Sequence, residues 1–357
     1  MKILYGVVGE GMGHAIRSSV ILEKLLADGH AIHIVASGRA YELLERQFPQ
    51  VRRIWGLTMV MADNEVKTLG TAAGNIRGAL AGWPQNVRQY FEVMAEFAPD
   101  VVISDFESWT WLFAKVNRIP LICIDNIQII NRCRHERDII AGDAQAFRLT
   151  KSIVKAKCPK ARHYLVTTFF YPEIRKSRTT LVPPILRRNV LDARSTSGDH
   201  LLVYQTSDTF KNLPAMLKRL DCPVYVYGMR RDLTQDEHDG NLVYRPFSET
   251  QFIADLASCK GVVGSAGFTL IGEALHLHKP YLATPVGNQF EQTLNARYIE
   301  KLGFGLYDSH LDESSLRHFC DNLPRYRDAL GSYPRQDNTL IFAKLDELLD
   351  QREALLL

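Results

Sequence analysis

Apolar runs a few residues long alternate along this chain with longer stretches in which apolar positions recur at helical spacing. In the first half the pattern predicts strands at Ile3–Val8, Ile32–Ser37, Arg53–Leu57, Val101–Asp105, Leu121–Asp125 and Tyr164–Thr167. In the second half it predicts Leu201–Gln205, Val224–Tyr227, Leu242–Arg245, Gly261–Gly264, Tyr281–Thr284 and Gly305–Tyr307. Near-continuous apolar strands separated by helical stretches belong to parallel sheets covered on both faces, so the expected class is α/β. The succession breaks at Val182-Pro183-Pro184 and the polar run from Asp192 to Asp199, then restarts at His200. Proline disfavours helix at the residue before it and stiffens a connection. The expected division is a first domain over 1–185, a linker near 185–198 and a second domain over 199–335. Residues 336–357 follow, with a helical apolar pattern from Thr339 to Leu356. No repeat of fixed period and no low-complexity tract is visible.

Composition narrows this little but excludes several classes. A chain of 357 residues exceeds what one core usually supports, in line with two domains. Its 46% hydrophobic and 23% charged residues are ordinary for a globular protein. The apolar start from Met1 to Gly9 is too short for the core of a signal peptide, and no run approaches the roughly 18 apolar residues of a membrane span. Six scattered cysteines, with no C-x-x-C pair, argue for reduced thiols in the cytoplasm and against a zinc site or a disulfide framework.

The strongest chemical signal is Gly264-Ser265-Ala266-Gly267-Phe268-Thr269-Leu270-Ile271-Gly272-Glu273, followed by Lys279-Pro280 and Phe290-Glu291-Gln292. A buried strand breaks there into small residues and opens a helix between Ser265 and Thr269. Small residues let a ligand approach the backbone, and the free N–H groups of a helix start attract anions. Ser265, Gly267 and Thr269 are the candidate phosphate contacts. Glu273 falls on the apolar side of that helix and needs a partner, which a ribose diol beside the phosphate would supply. Glu291-Gln292 follow the next strand and are candidates for the sugar. A tight strand-helix turn without a ligand is the plainer reading; it leaves Glu273, Lys279-Pro280 and Glu291-Gln292 as coincidences.

This stretch resembles the donor-binding signature of glycosyltransferases with two Rossmann-like domains, the GT-B fold. It is most similar to the lipid II-forming N-acetylglucosaminyltransferases and the UDP-glycosyltransferases, and closest to a little-characterised prokaryotic branch of that group. The resemblance implies two parallel sheets facing each other across a cleft, with the C-terminal helix returning to the first domain. It implies an inverting transfer from a UDP- or dTDP-sugar to an acceptor hydroxyl, possible acceptors being lipid-linked or cell-envelope glycan precursors. Arg245-Pro246-Phe247-Ser248 through Asp255 matches the loop and helix before the motif, which puts Phe247 and Ser248 against the base. Gln205-Thr206-Ser207-Asp208-Thr209 stands where the family has a glycine-rich phosphate loop; hydroxyls replace the glycines, and Ser207 is the candidate contact. The metal-binding D-x-D pair of other transferases is missing here, so neither a metal nor another cofactor is expected.

The loop Gly9-Glu10-Gly11-Met12-Gly13-His14 admits two readings. A dinucleotide fingerprint would need glycine at His14 and an acid after the second strand, where Ser37-Gly38-Arg39 stands. An NADP enzyme using Arg39 is therefore disfavoured. In the resembled transferases the same loop presents a histidine that takes the proton of the acceptor hydroxyl. His14 is placed for this at the carboxyl end of a strand, where open sheets bind ligands. Asp105 ends a neighbouring strand and could fix its tautomer; the competing role for Asp105 is a helix N-cap. Gly11, Gly13 and Arg17 complete the acceptor and phosphate loop, although an exposed helix arginine is the commoner case.

Charge is unevenly divided. Residues 1–190 hold 26 Lys+Arg against 17 Asp+Glu, and the remainder 17 against 23, which gives the overall +3. Within Asn131 to Arg162 nine residues are basic and three acidic, with Arg148, Lys151 and Lys155 at helical spacing. Such a segment can dock on anionic lipid headgroups, each cation near the surface contributing about 1 kcal/mol, bind an acidic soluble acceptor, or stay solvated. Either way the expected location is cytoplasmic or peripheral at the inner face of the membrane. Nucleic acid is not an expected partner. The apolar, glycine-rich segment from Met59 to Trp83 is a candidate lid or lipid-facing surface. Two alternatives share the fold: a nonhydrolysing UDP-sugar 2-epimerase, whose S-G-G and tandem glutamates are replaced here by Ser265-Ala266-Gly267 and a single Glu273, and an inactive nucleotide-sugar-binding protein.

Overall fold

The computed structural model describes residues 1–56, 61–62, 65–66, 82–205 and 212–351. The chain divides into two compact units, one of Met1–Val60, Lys67–Ile185 and Asp337–Leu357, the other of Met61–Val66 and Leu186–Gln336.

The first unit is built on seven parallel strands: β1 (Lys2–Val7), β2 (Ala31–Ala36), β3 (Val51–Arg53), β4 (Val101–Asp105), β5 (Leu121–Asp125), β6 (His163–Thr167) and β7 (Thr179–Val182). Their order is β3-β2-β1-β4-β5-β6-β7. The order therefore reverses between β1 and β4, at the point where open α/β sheets form a ligand crevice beyond the strand ends. Strands such as β1 and β4 bury every residue but the first of β1, because helices cover both faces. Helix α1 (Met12–Ala27) and helix α2 (Gly38–Gln47) bury Ile21, Leu22, Leu25, Ala40 and Leu44 against one face. The C-terminal helix Thr339–Asp350 buries Ile341, Leu345, Leu348 and Leu349 in the same cluster, though it follows the whole second unit in sequence.

The second unit repeats the plan. Its strands are β8 (Leu201–Tyr204), β9 (Val224–Tyr227), β10 (Glu237–Asp239), β11 (Leu242–Tyr244), β12 (Gly261–Gly264), β13 (Tyr281–Ala283) and β14 (Gly305–Tyr307). They run in the order β10-β11-β9-β8-β12-β13-β14, parallel except for the edge strand β10. The reversal here lies between β8 and β12.

Within the two seven-stranded sheets, two strands go beyond the sequence pattern and one is displaced. Thr179–Val182 and Glu237–Asp239 are edge strands, half exposed and polar, so they lack the apolar run that marks a buried strand. The strand expected at Arg53–Leu57 forms instead at Val51–Arg53, where only Val51 is buried. The six cysteines are unpaired. Among the described residues no helix is long and apolar enough to cross a membrane.

Candidate active site

In the first unit, chemistry gathers at the reversal point. Gly11 caps α1 at φ 81°, a left-handed conformation that costs glycine nothing, and the chain turns there from β1 into the helix. That turn puts His14 and Arg17 on the helix face toward the end of β4, which pairs with β1 in register up to Val7 and Asp105. His14 Nδ1 lies 2.7 Å from Asp105 Oδ1. Arg17 reaches the same carboxylate with Nε at 2.7 Å from Oδ2 and Nη2 at 2.5 Å from Oδ1, and Ser18 donates its hydroxyl to Oδ2 at 2.9 Å. A third arginine donor, Nη1, meets Asn126 Oδ1 at 2.6 Å. Phe106, the residue after Asp105, takes φ 54°, an unusual conformation for an aromatic residue and the kind of strain found at functional sites.

Burial tends to raise the Asp105 carboxyl, but Arg17 and then His14 outweigh it and hold it at about 2. Burial and the Arg17 charge lower the His14 imidazole below its ordinary value, against the pull of Asp105. His14 is therefore neutral at neutral pH. Arg17 Nη2 also lies 2.5 Å from His14 Nδ1, since both nitrogens converge on Oδ1. We assign the proton to Nδ1, because a bare lone pair there would face an anionic oxygen. Nε2, which makes no hydrogen bond to the described residues, is then the basic nitrogen.

Asp125 ends β5, beside β4, and is fully buried. Its Oδ1 accepts from the Gln128 backbone N–H at 2.7 Å, while Oδ2 has no partner. Burial pushes its carboxyl up to about 7 despite backbone donors and Arg17, with Asp105 adding to the rise.

In the second unit, β12 runs into Ser265 to Gly267 at the reversal between β8 and β12, and helix Phe268–His276 begins there with no capping side chain. The carbonyls of this loop are tied inward. Ser265 O accepts from the Tyr281 hydroxyl at 2.6 Å, and Ala266 O from Asn295 Nδ2 at 3.0 Å. A Cβ added at Gly267 would meet nothing within 4 Å, so the loop faces open space. Glu273 is 2% exposed and is held by a bidentate bond to Arg187, with Nε to Oε1 at 2.8 Å and Nη2 to Oε2 at 2.9 Å. Arg187 also donates to Glu249 at 3.0 Å. Burial raises the Glu273 carboxyl above its ordinary value even with Arg187 beside it. Glu291 accepts from Asn295 at 2.8 Å; Gln292 accepts from the Val286 N–H at 2.9 Å and donates to Gln289 at 2.6 Å. Phe247 is 70% exposed, and the Ser248 hydroxyl caps helix Glu249–Ser258.

A family model described as glycosyl transferase family 1 matches residues 1–324 of this chain. The chain belongs to that family. An uncharacterised glycosyltransferase of Methanosarcina mazei is 24% identical over 340 residues, which cover 85% of each chain. Among solved structures, the glycotransferase of kitacinnamycin superposes with a TM-score of 0.67 at 15% identity over 98% of both chains. Phytolacca americana UGT2, complexed with UDP-2-fluoro-glucose and pterostilbene, gives 0.66 at 15% over 99% of both. The two parallel-sheet α/β domains of this family 1 transferase are those of the GT-B fold.

The geometry of this family 1 chain corrects three expectations. Arg17 is not an exposed arginine near a phosphate; it is 3% exposed and spends its donors on Asp105 and Asn126. Asp105 is not a helix cap; Glu107 caps helix Ser108–Val116 through the N–H groups of Trp109 and Thr110. Glu273, assigned to a ribose, has Arg187 as its partner. Lys279, buried, donates to the carbonyls of Thr196 and Cys259 and so ties the chain before β8 to the sheet. Gly11 and Gly13 stand in the turn and first helical turn as expected. Ser207 and most of the segment from Met59 to Trp83 lie outside the described residues. Sequence reasoning missed Asn126, Asp125, Arg187 and Asn295. An acid closing the strand next to that of Asp105 was a readable signal for Asp125; Arg187 and Asn295 carried none.

Proposed function

We propose that this chain is an inverting glycosyltransferase that moves a hexose from a UDP- or dTDP-sugar to an acceptor hydroxyl without a metal. The observation that carries the reading is a neutral, oriented His14 whose Nε2 has no partner among the described residues. The acceptor oxygen attacks the anomeric carbon from the face opposite the diphosphate. Its proton passes to His14 Nε2 as the bond to the leaving phosphate breaks, so the configuration inverts. Asp105 stabilises the imidazolium that forms, and Arg17 keeps Asp105 ionised and in place. The departing diphosphate takes the backbone N–H groups at the start of helix Phe268–His276 together with the Ser265 and Thr269 hydroxyls. Exposed Phe247, with Ser248 beside it, is assigned to the base, and Glu291 and Gln292 to the sugar. Glu273 fixes Arg187 through both carboxylate oxygens.

On helix Ala144–Lys157, exposed Leu149 and Ile153 stand among Arg148, Lys151 and Lys155. Exposed apolar and basic side chains on this one helix support peripheral contact with an anionic membrane and hence a lipid-linked acceptor.

Calorimetry with UDP and dTDP tests the donor assignment. Both should bind without added magnesium or manganese; binding that requires either metal, or a preference for NADP, would remove it. Gly267→Ala sharpens the test. Its backbone, at φ −68°, suits alanine and the added methyl meets no protein atom, so melting should be unchanged. The methyl would stand where the phosphate approaches, and affinity should fall at least tenfold. Wild-type affinity in this variant would mean that the ligand does not use this loop.

A further inference from the structure

The first unit has a second concave site, at the edge of its sheet opposite Asp105. A cavity of about 640 Å³ opens there at the beginnings of β5, β6 and β7 and is lined by Lys115, Arg118, Lys160, Arg162, His163 and Arg178, with no acidic residue in its lining. Among the described residues none of the five cations has a carboxylate partner; Lys115 donates to the Lys160 carbonyl at 3.1 Å. The carboxylate felt by His163, Glu347, is already held through both oxygens by Lys344 at 2.7 Å. Like charges gathered around one hollow repel each other, and no carboxylate among the described residues lines it to offset that.

A second observation is independent of charge. Arg118, Lys160 and Arg178 take φ 56°, 57° and 59°. These are left-handed conformations that cost an ordinary residue free energy and cost glycine none. Each stands just ahead of a strand, and the three strands β5, β6 and β7 are neighbours in the sheet. Three turns that would accept glycine thus carry long cations instead, all aimed at one cavity. Strain retained at the rim of a charged hollow marks a site where the side chains are used.

We propose that this pocket binds a compact ligand bearing two or more phosphate groups, at a site separate from His14. The strands between the two edges are five residues long, about 16 Å at the usual rise. A ligand here therefore touches neither His14 nor Asp105. The phosphate chemistry is shared by a soluble polyphosphorylated molecule and by an anionic lipid headgroup.

The experiment uses the full chain and two probes, inorganic tripolyphosphate by calorimetry and phosphatidic acid vesicles by co-sedimentation. At least one should bind, with affinity falling as salt is raised. In R118G/R178G the melting temperature should hold or rise, because glycine relieves both positive φ angles, while binding at this site falls at least tenfold. Tripolyphosphate binding lost in the variant identifies a soluble ligand; vesicle binding alone, lost in the variant, identifies a headgroup. Binding of neither probe, or equal binding by wild type and variant, overturns the proposal. Tripolyphosphate retained on the donor loop is recognised by its loss in Gly267→Ala, and its presence or absence leaves the result for this pocket unchanged.

Discussion

Replacing His14 with alanine should lower sugar transfer by about two to four powers of ten while leaving UDP affinity nearly intact. The fold should survive, because Asp105 remains held by Arg17 and Ser18. Wild-type activity should rise with pH through a value below 6.5, the ordinary position of a histidine. The direction follows from burial and Arg17, both of which favour the neutral imidazole. The base form is required, so activity is lost as the pH falls through that lowered value. Full transfer by His14→Ala with an authentic acceptor would remove His14 from the chemistry. Asp105→Asn is a poorer probe, because it strips the counter-charge from a buried Arg17 and so confounds catalysis with stability.

The second large effect is on stability. Arg187 is 15% exposed and Glu273 2%, and they meet in a bidentate pair. Removing one member of a buried ion pair leaves the other uncompensated, at a cost of about 3–5 kcal/mol. Glu273→Ala or Arg187→Ala should each shift chemical denaturation of the second unit by that order. Arg187→Met with Glu273→Leu should recover much of the loss, since the pair's own desolvation penalty disappears with it. Single variants that melt like the wild type would show the pair to be dispensable, and would return Glu273 to the role of a ligand contact alone.

Legibility followed burial. Val101–Asp105, Leu121–Asp125, Val224–Tyr227 and Gly261–Gly264 form where the apolar pattern places them. A strand covered on both faces must be apolar nearly throughout, and that run is visible without a partner. Thr179–Val182 and Glu237–Asp239 were hidden because an edge strand is held by backbone bonds to one neighbour, which polar residues make as well as apolar ones. The short-range motifs behaved similarly. A glycine turn before His14 and the small residues from Gly264 to Gly267 are local features, readable from local sequence.

What the sequence by itself determined, then, is the two-sheet α/β plan and the loops where ligands meet backbone. What only the tertiary structure decided is which charges face each other. His14 and Asp105 are 91 residues apart and Arg187 and Glu273 are 86 apart, and in each case only the folded chain brings them together. An ion pair carries no periodicity, so nothing in the chain announced that Arg17 would serve Asp105, or that Glu273 already had a cation. The basic hollow at the opposite edge has the same origin: its cations come from the end of a helix and three separate turns, and only the neighbouring positions of β5, β6 and β7 gather them around one cavity.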